Sequence, residues 1–202
     1  MPDAAKLGCR LKMLLQPEHK WSRQESLAKP SPIPREPGVY AWYFREIPPQ
    51  VPVTGCHVHG PDTLLYVGIS PKAPPKIGSA PGKQTLLNRI RNHYCGNAEG
   101  STLRLTLGCL LSEKLGIKLR RVGSGTRMTF GEGENILSQW MDENAFVVWV
   151  VNSEPWLLEE KIIGEVSLPL NLDMNKEHPF HQSLSQIRKS AKESARASPI
   201  AS

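Results

Sequence analysis

The sequence predicts an α/β protein. Two observations carry the prediction. Three short runs rich in β-branched and aromatic residues stand at Gly38–Phe44, Leu64–Ser70 and Ala145–Val151. Between and after them lie stretches whose apolar residues recur at helical spacing, as in Leu86, Leu87, Ile90 and Tyr94.

Taken in order, residues 1–36 read as an N-terminal extension. Leu7, Leu11, Leu14 and Leu15 have the spacing of a short helix, and Pro30, Pro32, Pro34 and Pro37 mark a linker or extended arm. Gly38-Val39-Tyr40-Ala41-Trp42-Tyr43-Phe44 is the first strand and Leu64-Leu65-Tyr66-Val67-Gly68-Ile69-Ser70 the second. The connection from Arg45 to Thr63 holds Pro48, Pro49, Pro52, Gly55, Gly60 and Pro61, so it is a loop. Strands joined this way pair antiparallel most easily, which brings Tyr40 near Tyr66. The glycines beside the tyrosines let other backbone or a ligand approach.

Pro71–Gly82 is another Pro/Gly/Lys loop, followed by a helix over Lys83–Tyr94. Arg89 and His93, one turn apart, flank its apolar face. Gly100–Leu115 reads as a second helix with Ser101 or Thr102 as cap. Ile117–Val122 and Arg127–Phe130 read as a strand pair around Gly123-Ser124-Gly125. Glu132–Asp142 is helical, and Ala145–Val151, a continuous apolar run, reads as a central strand.

A helix then starts at Ser153-Glu154-Pro155, with Ser153 as cap, and runs to about Val166. At about 100° per residue, Glu159 sits in the middle of its apolar face, between Trp156 and Ile163 on one side and Ile162 on the other. A carboxylate there is costly unless it is paired, protonated or bound to a metal. A salt bridge to Arg89 is one open solution. Glu160 lies nearer the edge. Past Pro169, the tail holds His178 and His181, read as ordinary surface histidines, and a solvated helix over Gln182–Arg196, with loose chain after about Ser190.

The charge is uneven. The 202 residues carry a net +6, yet Lys72–Arg127 alone holds eleven Lys/Arg against Glu99 and Glu113, a net +9. Concentrated within one folded region, such a balance favours a polyanionic partner over a merely solvated face. Cys9, Cys56, Cys95 and Cys109 stand far apart without a CxxC, which predicts free thiols in a reducing compartment. Cys56-His57-Val58-His59 offers ligands for a metal, but without a second half the signal is weak and an exposed loop is the favoured reading. No apolar run is long enough to span a membrane, so the expectation is a soluble, cytoplasmic protein.

Gly38-Val39-Tyr40 and Tyr66-Val67-Gly68, followed by Arg89, His93, Glu159 and Asn171 in order, resemble the GIY-YIG nuclease family, and specifically its stand-alone, restriction-endonuclease-like members. Asn171 follows Glu159 by twelve residues, the family's spacing, whereas Glu160 misses it by one. The resemblance covers 37–172, with 1–36 as extension and 173–202 as a partly disordered helical tail. The link between the two tyrosines and the stretch Cys95–Asn144 are longer than a compact member needs.

The resemblance implies a small, mainly antiparallel sheet of about three strands flanked by helices, with insertions. It implies a metal-dependent endonuclease acting on DNA, with RNA not excluded, and a catalytically inactive nucleic-acid-binding module as the alternative. Tyr40 is then the general base, Tyr66 orients water or phosphate, and Arg89 contacts the phosphate, with His93 assisting. Glu159 holds Mg²⁺ or Mn²⁺ and Asn171 braces the site. Lys118, Arg120, Arg121 and Arg127 are expected to form a nucleic-acid face outside the centre. Cutting both strands implies a homodimer or two visits.

Overall fold

The structure, a computed structural model, describes residues 4–74 and 82–201. Its helices are α1 (Ala4–Leu15), α2 (Arg23–Ser26), α3 (Leu86–Cys95), α4 (Thr102–Leu110), α5 (Ser112–Leu115), α6 (Gly133–Asn144), α7 (Pro155–Glu165) and α8 (His181–Ala197). Its strands are β1 (Gly38–Phe44), β2 (Val58–His59), β3 (Asp62–Ser70), β4 (Arg120–Val122), β5 (Arg127–Thr129) and β6 (Ala145–Val151).

The main sheet is antiparallel with order β2-β3-β1-β6, and β4-β5 form a separate hairpin. The expected three strands are thus joined by a fourth, short one within the Pro/Gly loop. The centre of the sheet is β1, all seven residues of which are buried. The run Ala145–Val151, expected in the middle, is instead an edge strand. It is apolar on both faces because helices cover both faces. Trp21 closes its outer side, exchanging 2.9 Å backbone hydrogen bonds with Val147 in both directions.

Alternation along β1 divides the core in two. Tyr40, Trp42 and Phe44 point into a large cluster with Leu86, Ile90, Leu103, Leu107, Leu137 and Leu184 from α3, α4, α6 and α8. Val39, Ala41 and Tyr43 point into a smaller one with Leu14 of α1 and Leu158 and Ile162 of α7. Each fully buried side chain of this size contributes roughly 1.5–3 kcal/mol.

The N-terminal residues pack against the sheet instead of trailing from it. Leu14 is buried and its carbonyl accepts the Tyr43 hydroxyl at 2.7 Å. In the proline-rich stretch, the carbonyls of Pro34 and Glu36 accept the N–H groups of Leu87 and Leu86. They satisfy donors at the start of α3 that have no partner within the helix.

The expected helix 100–115 breaks at Leu111 into α4 and α5, ending at Gly116 in the left-handed region (φ 64°). The tail helix does not loosen at Ser190. It continues to Ala197 because Ala195 is buried, with Ala191 and Ile187 half-buried against the larger core.

Candidate active site

The site is assembled around Tyr40. Across the sheet, Tyr40 faces Gly68 on β3 and Trp149 on β6, while Tyr66 faces Trp42 one step along. Gly68 is required by close approach, since a Cβ there would lie 2.6 Å from Cζ of Tyr40. With only hydrogen at that position, the phenol lies flat over β3 and reaches α3. Its Oη is 2.9 Å from Nε2 of His93 and accepts a longer bond (3.4 Å) from Nε of Arg89.

Helix α3 aims both partners. Thr85 caps it by accepting from the Asn88 N–H, and Leu86, Leu87, Ile90 and Tyr94 bury its apolar face. Arg89 follows one edge of that face and donates to the Gly100 carbonyl at 3.1 Å. His93 is fully buried, with Nδ1 2.7 Å from the Ser101 hydroxyl. Burial lowers its pKa well below the ordinary histidine value, and Arg89 and Arg104 lower it further, so the ring is neutral at neutral pH. The network is satisfied when Nδ1–H donates to Ser101 and the Tyr40 hydroxyl donates to Nε2. Burial above all, with Tyr66 and Glu159 nearby, raises the Tyr40 pKa well above that of a free phenol, against the pull of Arg89. Burial likewise raises that of Tyr66.

Ser101 has two tasks. Its oxygen accepts the Arg104 N–H as the cap of α4 and meets His93. The cap was legible in the sequence; the contact to His93 depends on how the loop 96–100 folds back. Arg104, counted in the basic window, is fully buried and paired with Glu134 through Nε and Nη2 at 2.9 and 2.7 Å. Its Nη1 donates to the carbonyls of His93 and Tyr94, bracing the end of α3. Lys76, also in that window, lies outside the described residues.

Glu159 enters from the other side of the sheet. Pro155 starts α7, but the cap is Glu154, whose N–H is held by Asn152 Oδ1, and not Ser153. Leu158 and Ile162 are the buried centre of the helix stripe. Glu159 therefore sits at the margin of the apolar face, not at its middle, half-buried and turned to the cleft. Among the described residues it has no hydrogen bond and no ion pair, and Arg89 is engaged elsewhere. Burial first, then Asp173, pushes its pKa up to about 7, with Lys72 opposing.

Asn171 completes the outer edge of β3. Its side-chain amide behaves as a peptide group, accepting from Val67 N–H at 2.9 Å and donating to Val67 C=O at 2.8 Å. Next to it, Leu170 N–H donates to Leu65 C=O. The chain at 170–171 thus stands in for a strand and fixes the segment between Tyr66 and Gly68.

Tyr40, Tyr66, Arg89, Glu159 and Asn171 all line one cleft of about 970 Å³, with His93 behind Tyr40. Lys118, Arg120, Arg121 and Arg127 do not line it. They lie on or beside the β4-β5 hairpin, where Arg121 and Arg120 donate to the carbonyls of Ser198 and Pro199. The cleft also takes Lys72, the first residue of the basic window, and Asp173, and from α8 Arg188, Lys189, Lys192 and Arg196; Asp173 and the four α8 cations did not stand out in the sequence. The available signal was the recurrence of cations at 188, 192 and 196, one helical turn apart. Among the described residues there is no group of three His, Cys, Asp or Glu suited to a metal. In the Cys56–His59 loop, His57 is instead 2.6 Å from the Leu15 carbonyl. No described helix is long and apolar enough to cross a membrane.

No curated protein and no solved structure matches the chain. The family model of the GIY-YIG catalytic domain matches residues 38–190. That span runs from the first residue of β1 into α8 and includes Tyr40, His93 and Glu159. The chain therefore belongs to the GIY-YIG catalytic domain family, whose members are nucleases that act on nucleic acid with a divalent metal ion.

Proposed function

We propose that this chain is an endonuclease that hydrolyses phosphodiester bonds of DNA, with Tyr40 as general base and one Mg²⁺ or Mn²⁺ ion held by Glu159. One observation carries the reading. The Tyr40 hydroxyl bonds a neutral, buried imidazole at the floor of a cleft into which Glu159 points without a partner.

The donor set fits a hard cation. Glu159 offers carboxylate oxygen in an open cleft with room for water, and Mg²⁺ typically takes one or two carboxylates and keeps several waters. A bound divalent ion supplies a Lewis acid for an oxygen of the scissile phosphate.

The remaining work falls to the chain. With its pKa raised, Tyr40 is a phenol at rest and not a standing phenolate. It therefore takes a proton from the attacking water as it passes its own to Nε2 of His93. Ser101 holds Nδ1–H and so keeps the Nε2 lone pair directed at Tyr40. Burial and the charges of Arg89 and Arg104 disfavour the imidazolium, so the proton returns through Tyr40 to solvent after the step. Water oxygen bonds to phosphorus, the bond to the leaving oxygen breaks, and that oxygen takes a proton from solvent. Arg89 faces the charge growing on the phosphate. Tyr66 orients water or phosphate, and Asn171 keeps β3 in place beneath both.

Lys118 and Arg127, both exposed, are outlying phosphate contacts in this reading. Cutting both strands takes two such centres, hence two copies or two visits. The free thiols of Cys9, Cys56, Cys95 and Cys109 support a reducing, cytoplasmic setting.

The test is incubation with supercoiled plasmid in Mg²⁺ or Mn²⁺, beside Tyr40→Phe and Glu159→Gln. Nicking by the parent chain and none by either variant is expected. DNA bound but uncut in both ions would favour the inactive binding module. Cutting that survives both substitutions would overturn the assignment.

A further inference from the structure

Helix α8 has two adjoining faces. Leu184, Ile187, Ala191 and Ala195 turn inward to the larger core, the alanines allowing close approach to α4. Beside that stripe, at about 100° per residue, Arg188, Lys192, Arg196 and Lys189 follow one another along the edge. All four line the cleft that holds Tyr40 and Glu159. From Arg188 to Arg196 the rise is about 12 Å, the axial reach of roughly three successive phosphates in one strand.

Among the described residues none of the four makes an ion pair. Arg188 is half-buried, and burial lowers its pKa. A desolvated guanidinium without a carboxylate in contact is costly unless an anion meets it. The cleft lining as a whole sets six cations, with Lys72 and Arg89 included, against Glu159, Glu160 and Asp173. This is a surface for a polyanion.

The far end of α8 is fastened. Ala201 N–H donates to the Arg121 carbonyl at 2.8 Å, and the Arg121 guanidinium donates to Ser198 C=O at 2.9 Å. Arg120 does the same for Pro199 C=O at 3.2 Å. These two arginines hold protein, and in doing so fix the direction of the basic edge.

We propose that α8 is the strand-holding arm of the cleft, its Arg188–Arg196 edge gripping the sugar–phosphate backbone of DNA, with the β4-β5 hairpin as its latch. This deepens the nuclease reading and rests on it for the identity of the polyanion. The arm acts by charge and position, not by base recognition.

The experiment is anisotropy of a labelled DNA duplex with the full chain in EDTA, across a salt series. Lys189→Glu with Lys192→Glu is compared with Lys12→Glu and Lys29→Glu, which change net charge equally far from the cleft. Arg196→Glu, at an exposed position, is a second variant should the first fold poorly by circular dichroism. Each lost phosphate contact lowers the slope of log K against log salt by about 0.9. The Lys189/Lys192 pair should therefore lower it by about 1.8 and weaken binding at low salt at least tenfold. The Lys12/Lys29 pair should do neither. Affinity and slope unchanged in the α8 variants, or lost equally in both pairs, would overturn the proposal. DNA held through α8 but never cut on adding Mg²⁺ or Mn²⁺ would leave the arm standing and overturn the nuclease reading alone.

Discussion

Glu159→Gln should stabilise the metal-free protein at pH 8 and leave it unchanged near pH 4.5. Burial and Asp173 push the carboxyl from about 4.5 to about 7. At about 1.4 kcal/mol per unit, that is roughly 3.5 kcal/mol for holding the charge, or about 2–3 with allowance for partial exposure. The folded state binds this proton more tightly than the unfolded chain does. Metal-free stability therefore falls as pH rises from about 4.5 through 7, and the cost is absent below that window. Glutamine keeps shape and polarity without the charge, so it recovers the difference only at high pH. At about 2–4 °C per kcal/mol for a chain of this size, Tm should rise by about 4–12 °C at pH 8 in EDTA. Glu160→Gln, at an exposed position, should shift it little. Melting curves of both variants at pH 4.5 and pH 8, with EDTA and with Mg²⁺, give the readout. Added Mg²⁺ should raise the Tm of the parent chain and not that of Glu159→Gln. A Tm that falls at pH 8, or one that shifts equally at both pH values, would refute the electrostatic argument. The first outcome would mean that Glu159 pairs with a cation in solution.

Three further outcomes follow from single contacts. Ser101→Ala should cost about 1 kcal/mol for the lost cap while reducing cleavage far more, because His93 is no longer held in one tautomer; Ser101→Thr should restore both, as read by urea melts and nicking rates. Asn171→Leu strands the N–H and C=O of Val67, and should cost about 2–4 kcal/mol in urea unfolding; a neutral result would remove Asn171 from the frame of the site. Arg121→Ala should increase hydrogen exchange in the last two turns of α8 while protection of β1 stays unchanged, and uniform loss of protection would argue against a local latch.

Much of this arrangement was legible because it is local. The runs at 38–44 and 64–70 are strands because their composition permits little else, and β1 forms over the expected residues. The face carrying Arg89 and His93 followed from apolar spacing in one helix. What escaped was decided between distant elements. The run at 145–151 is apolar because two helix layers cover it, and composition does not separate that from a central position. The stripe of α7 is centred on Leu158 and Ile162 because β3 lies on that side, so Glu159 moved to its margin. The basic window looked like one surface, but Arg104 is a buried partner of Glu134 and Arg121 a donor to the segment that follows α8. Of the window's cations only Lys72 and Arg89 reach the cleft among the described residues, and the other four there belong to a tail whose composition reads as solvated.

The missing Cβ of Gly68 has a consequence for how the molecule can change. Twenty-eight positions separate Tyr40 from Gly68 in the chain, yet they form one steric object. Any side chain at 68 must evict the phenol from its bed on β3, breaking its contact with His93 without altering a reactive group. Position 68 therefore behaves as part of the tyrosine. An alanine there acts on the hydroxyl from the neighbouring strand, and it does so by volume alone. Variation at these two sites is epistatic by geometry: the glycine is free to change only when the tyrosine is already gone.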